Sequence, residues 1–235
     1  MMRFNTGIYT PPEAAALLHE KPETVRRWAF GYTRQRTGGK TGHPPLIRTE
    51  LPVVEGERTL TFVELVELLY VRAFHDARVG WSTIREAASV AARLFATDHP
   101  FALRQVYLDP GSFLYAAVEE ADGTEALIEL RGHGQHAIPQ LVKPYLDQLE
   151  FGTDDVASRW WPMGRRGGVV VDPRIGFGAP VIEDTGIRTG TLCDAFTAER
   201  ATHGKMALER VAWLYELKPA QVEDALRFHR WLKAA

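Results

Sequence analysis

One cysteine, Cys193, stands in 235 residues, so an internal disulfide is impossible and no cysteine cluster offers a zinc site. No run of eighteen apolar residues occurs, and the start Met1-Met2-Arg3-Phe4-Asn5 lacks the apolar stretch of an export signal. A soluble, cytoplasmic protein with no membrane contact is expected. Also missing are a nucleophile with a base beside it, a glycine-rich phosphate loop and paired acids in a supporting motif; the Gly176-Phe177-Gly178 turn is too short to hold a dinucleotide. Neither catalysis nor a cofactor is expected. The most local absence is of negative charge. From Arg26 to Arg48 there is no Asp or Glu, yet six cations (Arg26, Arg27, Arg34, Arg36, Lys40, Arg48) fall there, in a chain of formal net charge -2. Cations concentrated in this way suit a polyphosphate backbone, because neutralising phosphates releases condensed counterions.

What is present supports packed cores: 45% of residues are hydrophobic and 25% charged, enough for two or three compact units. Ahead of the cationic stretch, Thr10 with Glu13 three residues on forms a Thr-x-x-Glu capping box, and Pro11 suits the first helical turn. Pro22 opens a second helix in which Val25, Trp28 and Ala29 share one face, leaving Glu23, Thr24, Arg26 and Arg27 off it. A short helix pair feeding a cationic loop places Thr24, Arg26 and Arg27 as base or backbone readers, with Arg34, Arg36, Lys40 and Arg48 on phosphates. The bland alternative is that Arg26 and Arg27 form a solvated helix face.

These residues carry a resemblance. Tyr9-Thr10, Glu13-Ala14-Ala15 and Leu17-Leu18, then Thr24-Val25-Arg26-Arg27-Trp28, resemble the MerR-type winged-helix DNA-binding domain. Arg58-Thr59-Leu60-Thr61-Phe62 with Leu65 and Leu68, and Gly80-Trp81-Ser82 with Ile84-Arg85, are similar to that family's wing-to-helix junction and second helix pair. The resemblance implies an enlarged wing from Arg34 to Glu57, interrupted by Gly38-Gly39-Lys40 and Pro44-Pro45, with scaffold helices from about Phe62 to Asp76 and Ser82 to Phe95.

The period then changes. Segments 104–109, 112–119 and 124–130, separated by Asp109-Pro110-Gly111 and Asp122-Gly123, predict a three-stranded antiparallel meander, followed by a helix from Ile138 to Leu149. His133-Gly134-Gln135-His136 spaces two imidazoles for a metal only if it is helical, and the glycines flanking His133 argue for a surface loop instead. Next comes Arg159-Trp160-Trp161-Pro162-Met163-Gly164-Arg165-Arg166. It is either a strap whose tryptophans pack inside the chain, or a docking surface in which Arg159, Trp160, Trp161, Arg165 and Arg166 meet a partner.

From Gly168 to Leu232 a strand-turn-strand (Val169 to Ile182, with Asp172-Pro173 and Gly178-Ala179-Pro180-Val181-Ile182) precedes an apolar stripe through Val211, Leu217, Val222, Ala225 and Phe228. This region resembles the VapB-type antitoxins. The resemblance implies a PIN-like ribonuclease toxin as partner, silenced by arginines offered to its acidic residues, together with autoregulation at an operator. Glu216, Glu223 and Asp224 on the C-terminal helix pair would repel phosphates, so DNA is assigned to the N-terminal unit. A homodimer suits a two-fold operator.

The whole reading is an α+β chain, mostly α: a winged helix-turn-helix over 1–100, a β-meander with a helix over 101–157, a Trp/Arg linker over 158–168, and a β-hairpin with a three-helix helix-turn-helix unit over 169–235. The function expected is that of an antitoxin binding operator DNA and a toxin. The rival is a MerR-like regulator that answers to a small effector and has no toxin.

Overall fold

The computed structural model describes residues 7–36, 39–53, 56–108, 114–119, 125–129, 136–137 and 147–234, with the backbone alone at Arg36, at 107–108 and in the strands over 114–137. The chain is mixed α and β with small antiparallel sheets. It divides into two compact units, one comprising Tyr9–Asp147 with Phe151–Ala157, the other Met1–Ile8, Gln148–Glu150 and Ser158–Ala235.

In the first unit, α1 (Pro11–Leu18) starts at the capping box read from the sequence: the Glu13 amide donates to the Thr10 hydroxyl and the Glu13 carboxylate accepts from the Thr10 amide. α2 (Pro22–Phe30) buries Val25, Trp28 and Ala29, the 3.6-period stripe. β1 (Tyr32–Arg36) and β2 (Gly39–His43) then pair as a two-stranded hairpin with Tyr32 opposite His43 and Arg34 opposite Thr41. The hairpin is shorter than the enlarged wing expected from Arg34 to Glu57. Pro44 and Pro45 have no N–H to extend the ladder, and the chain turns inward, where Leu46 and Ile47 are buried and the Leu46 amide donates to the Trp28 carbonyl at 2.8 Å. Gly31 makes the entry possible: its φ is +70°, and a Cβ there would stand 2.5 Å from the His43 carbonyl oxygen.

α3 (Phe62–Asp76) opens with a second capping box, Thr61 with Glu64. It is buried around most of its circumference, with Phe62, Leu65, Leu68, Tyr70 and Phe74 all nearly inaccessible, and α1 and α2 pack on it. α4 (Trp81–Leu94) buries Ile84, Ala87 and Ala91, and Arg85 Nη2 donates to the Pro44 carbonyl at 3.2 Å, tying the hairpin exit to the scaffold. A polar knot lies under α3. His99 meets the Glu67 carboxylate at 2.9 Å and that of Glu50 at 3.0 Å, while Glu64 accepts from the amides of Glu50 and Thr61. Burial opposes the imidazolium, but the two carboxylates outweigh it and push the His99 pKa up to about 9.

The meander is present as β3 (Val106–Leu108), β4 (Leu114–Glu119) and β5 (Glu125–Glu129), and gains a fourth strand, β6 (His136–Ala137), in the order β3-β4-β5-β6. His133 and most of the expected helix over 138–149 lie outside the described residues; its last position, Leu149, begins β7 (Leu149–Phe151), which pairs with β8 (Ala157–Trp160).

In the second unit β9 (Val169–Val170) and β10 (Val181–Ile182) form the expected hairpin, followed by α5 (Thr189–His203), α6 (Ala207–Leu214) and α7 (Pro219–Lys233). Trp161, Val170 and Val181 cluster at its core. Cys193 is part-buried, its thiol pushed up to about 11 chiefly by burial, so it stays protonated at neutral pH. No helix among the described residues is long and apolar enough to cross a membrane.

Candidate nucleic-acid interface and partner surface

α2 turns Glu23, Arg26 and Arg27 outward and leaves Thr24 half-buried. Arg27 is engaged within the protein: its Nε lies 3.3 Å from Glu23 Oε1, one helical turn back, and its guanidinium sits 5.4 Å from the Tyr32 ring centroid. Tyr32 in turn stacks on His43 at 4.4 Å with the planes 13° apart, so helix and hairpin are linked through one cation and two rings. Arg26 forms no ion pair among the described residues and lines a depression of about 370 Å³ with Thr10, Phe30, Glu57 and Arg58. Arg58 stacks over Phe30 at 5.1 Å and adds a second cation there.

The remaining basic residues scatter. Strand alternation puts Arg34 on the Tyr32 face of the hairpin and Lys40, opposite Gln35, on the other. Arg36 closes β1 opposite Gly39. Arg48 lies beyond the hairpin and forms an exposed ion pair with Asp98, which cancels its charge locally. Sequence reading placed Arg58 and Arg85 in the winged-helix resemblance but not among the site residues, because both lie outside the acid-free stretch; the fold brings them beside α2 and the hairpin.

In the second unit Trp160 and Trp161 are each 1% exposed, so neither can anchor a partner. A tryptophan buries some 150–250 Å², and here both indole N–H groups find acceptors inside the unit, Gln148 Oε1 at 3.4 Å and Glu183 Oε1 at 3.1 Å. This is the internal packing that the sequence left as one of two readings. Arg159 is likewise occupied: its Nε donates to Asp172 at 2.9 Å, and Arg174 donates to the same carboxylate through its amide, Nε and Nη2. Burial would raise the Asp172 pKa, but these hydrogen bonds outweigh it and hold the carboxyl below its usual range. Arg165 lies 3.9 Å from the Trp161 ring centroid and 3.7 Å from Glu150, and Arg166 is exposed. Of the five residues, Arg165 and Arg166 reach the surface most fully.

Two features of the C-terminal helices were not read from the sequence. α6 leaves Trp213 80% and Leu214 56% exposed, and Met206 just ahead of it 65%. A cleft of about 600 Å³ is floored by Phe196, Leu208 and Leu226 and rimmed by Arg200, Lys205, Arg227 and Arg230 against Glu223. Asp224 is paired with Arg227 at 2.6 Å, so one of the three acids expected to repel phosphates is compensated.

Residues 7–88 match the family described as "Putative DNA-binding HTH domain". Over 233 residues the chain is 29% identical to "Putative antitoxin VapB45" of Mycobacterium tuberculosis (strain ATCC 25618 / H37Rv), spanning 96% of this chain and 95% of that protein. The crystal structure of Rv2018 from Mycobacterium tuberculosis shares the fold with a TM-score of 0.62, covering 96% of this chain and 99% of that one at 23% identity. The chain is thus similar to a VapB-type antitoxin and carries an N-terminal helix-turn-helix.

Proposed function

We propose that this chain is the antitoxin of a toxin–antitoxin pair, which binds operator DNA through α2 and the β1–β2 hairpin to regulate its own transcription, neutralises a PIN-like ribonuclease through its second unit, and performs no catalysis. One observation carries the reading: similarity to an antitoxin runs through 96% of the chain, while the helix-turn-helix match falls on residues 7–88, the region that holds the acid-free cationic stretch. On the DNA side, Thr24, Arg26 and Arg27 face the groove, and Arg34, Arg36 and Lys40 on the hairpin meet phosphates. Arg48 contributes only if its pair with Asp98 opens. A homodimer presents two copies of α2 to the halves of a two-fold operator.

For the toxin, Arg165 and Arg166 remain candidate contacts, with Arg159, Trp160 and Trp161 supporting them from within. The apolar anchor passes to Trp213, Leu214 and Met206, since interfaces draw most of their energy from buried aromatic and arginine side chains. Co-expression with the product of the adjacent open reading frame tests the reading. Co-purification and rescue of growth support it; a neighbour that neither binds nor harms growth removes the toxin and leaves a DNA-binding regulator.

A further inference from the structure

A cavity of about 400 Å³ opens between α2, the β1–β2 hairpin, the end of α3 and the start of α4, a volume that accommodates a bicyclic small molecule. Its lining is unusually rich in rings. Trp28 lies 6.1 Å from Trp81, and Trp81 stacks on His75 at 5.4 Å with planes 15° apart. The hairpin contributes the stacked pair Tyr32 and His43. Tyr32 and Trp81 remain 40% and 38% exposed, apolar surface that a flat molecule entering the cavity would cover.

Of the charged residues lining the cavity, Arg85 is the guanidinium with no carboxylate partner among the described residues. Its Nη2 is used by the Pro44 carbonyl, and among the described residues its Nε is buried without an acceptor and no carboxylate pairs with the guanidinium. With Nε closed off and Nη2 shared, the guanidinium offers a carboxylate in the cavity its remaining N–H groups and its charge. The second guanidinium, on Arg27, already faces Glu23. Glu20 is the one carboxylate among the lining residues, and it stands with Asp76 and His75 within 4.8 Å of one another, a group distinct from Arg85.

We propose that this cavity binds a small planar aromatic carboxylate, its ring system lying among Trp28, Trp81 and Tyr32 and its carboxylate accepting from Arg85. Thr24 and Arg27 line the same cavity, so occupancy and DNA binding are coupled, a consequence that rests on the DNA reading above. An anion seated beside Arg27 repels an approaching phosphate and lowers operator affinity, and by linkage the operator lowers ligand affinity by the same factor.

The test titrates indole-3-carboxylate and the neutral indole-3-carboxamide into the full chain without DNA, followed by calorimetry and tryptophan fluorescence. The acid is expected to bind and quench, with the amide at least tenfold weaker. Arg85→Gln should weaken the acid at least tenfold and abolish the difference between the two probes, while Trp81→Leu weakens both. No binding of the acid at millimolar concentration, equal binding of acid and amide, or unchanged affinity in Arg85→Gln overturns the site. Should Arg85→Gln lose its helical circular dichroism, Trp81→Leu carries the test, and full retention of acid affinity there overturns the site equally. Repeating the titration on the operator complex separates the two readings: unaltered ligand affinity removes the coupling, whereas a protein that binds no DNA removes the DNA reading and leaves the DNA-free titration to stand on its own.

Discussion

Arg26 and Arg27 are neighbours in the chain but point about 100° apart around α2, and that angle gives them different chemistry. Arg27 is held by Glu23 and Tyr32, pre-ordered but partly compensated, while Arg26 projects beside Arg58. If Arg27 reads a base, Arg27→Ala weakens operator binding by about 1–3 kcal/mol and relaxes specificity at one position, whereas Lys40→Ala weakens all sequences evenly and lowers the salt slope by about one. Anisotropy titrations over a salt series distinguish the two, and unchanged affinity and slope in both variants would remove the assignment.

His99 makes a second prediction at this scale. Its pKa is about 9 in the folded protein against 6.5 for a free imidazole. A raised pKa stabilises the fold fully below pH 6.5, and that contribution, at most about 3 kcal/mol, is lost as the pH climbs through 9. Urea midpoints measured from pH 6 to 9.5 should fall with rising pH, and His99→Gln should flatten the curve. A parallel curve in the variant would sink the assignment to this residue.

At the level of elements, the hairpin owes its position to one glycine and one pair of prolines. Gly31 lets β1 leave α2 in a left-handed conformation beside the His43 carbonyl; Pro44 and Pro45 stop the ladder and send Leu46 and Ile47 into the core. Gly31→Ala brings a Cβ to 2.5 Å from a backbone oxygen that cannot swing aside. Loss of about 2 kcal/mol of stability is expected, as strain of this kind commonly costs, with weaker DNA binding because the hairpin shifts from α2. Stability and affinity both at the parent level would show that the hairpin does not depend on this turn.

At the scale of the whole molecule, the proposed function divides between units: cations beside aromatic rings in the first, apolar and cationic surface on α6 and its neighbours in the second. Trp213→Glu, at a side chain 80% exposed, should leave folding within about 0.5 kcal/mol of the parent, keep operator affinity, and abolish co-purification with the toxin. Trp160→Ala, at 1% exposure, should instead destabilise its unit by about 3–5 kcal/mol. Toxin capture undiminished in a folded Trp213→Glu protein would exclude α6 from the interface.

The sequence by itself determined the elements whose causes are local. Thr10 with Glu13, Pro22 with the Val25-Trp28-Ala29 stripe, the alternating strands of the meander and the Asp172-Pro173 hairpin followed by three helices all express caps, turns and periodicity over a few residues. Tertiary structure decided which side chains are available. The length of the hairpin followed from where Leu46 could be buried, and Trp160 and Trp161 passed inside because acceptors for their N–H groups stand at Gln148 and Glu183. Arg159 was claimed by Asp172, Arg58 was brought over Phe30 of α2 by the segment before α3, and Arg85 was brought to the hairpin exit by α4. Charge and period are properties of a short window of chain, whereas exposure and pairing depend on neighbours that only folding supplies.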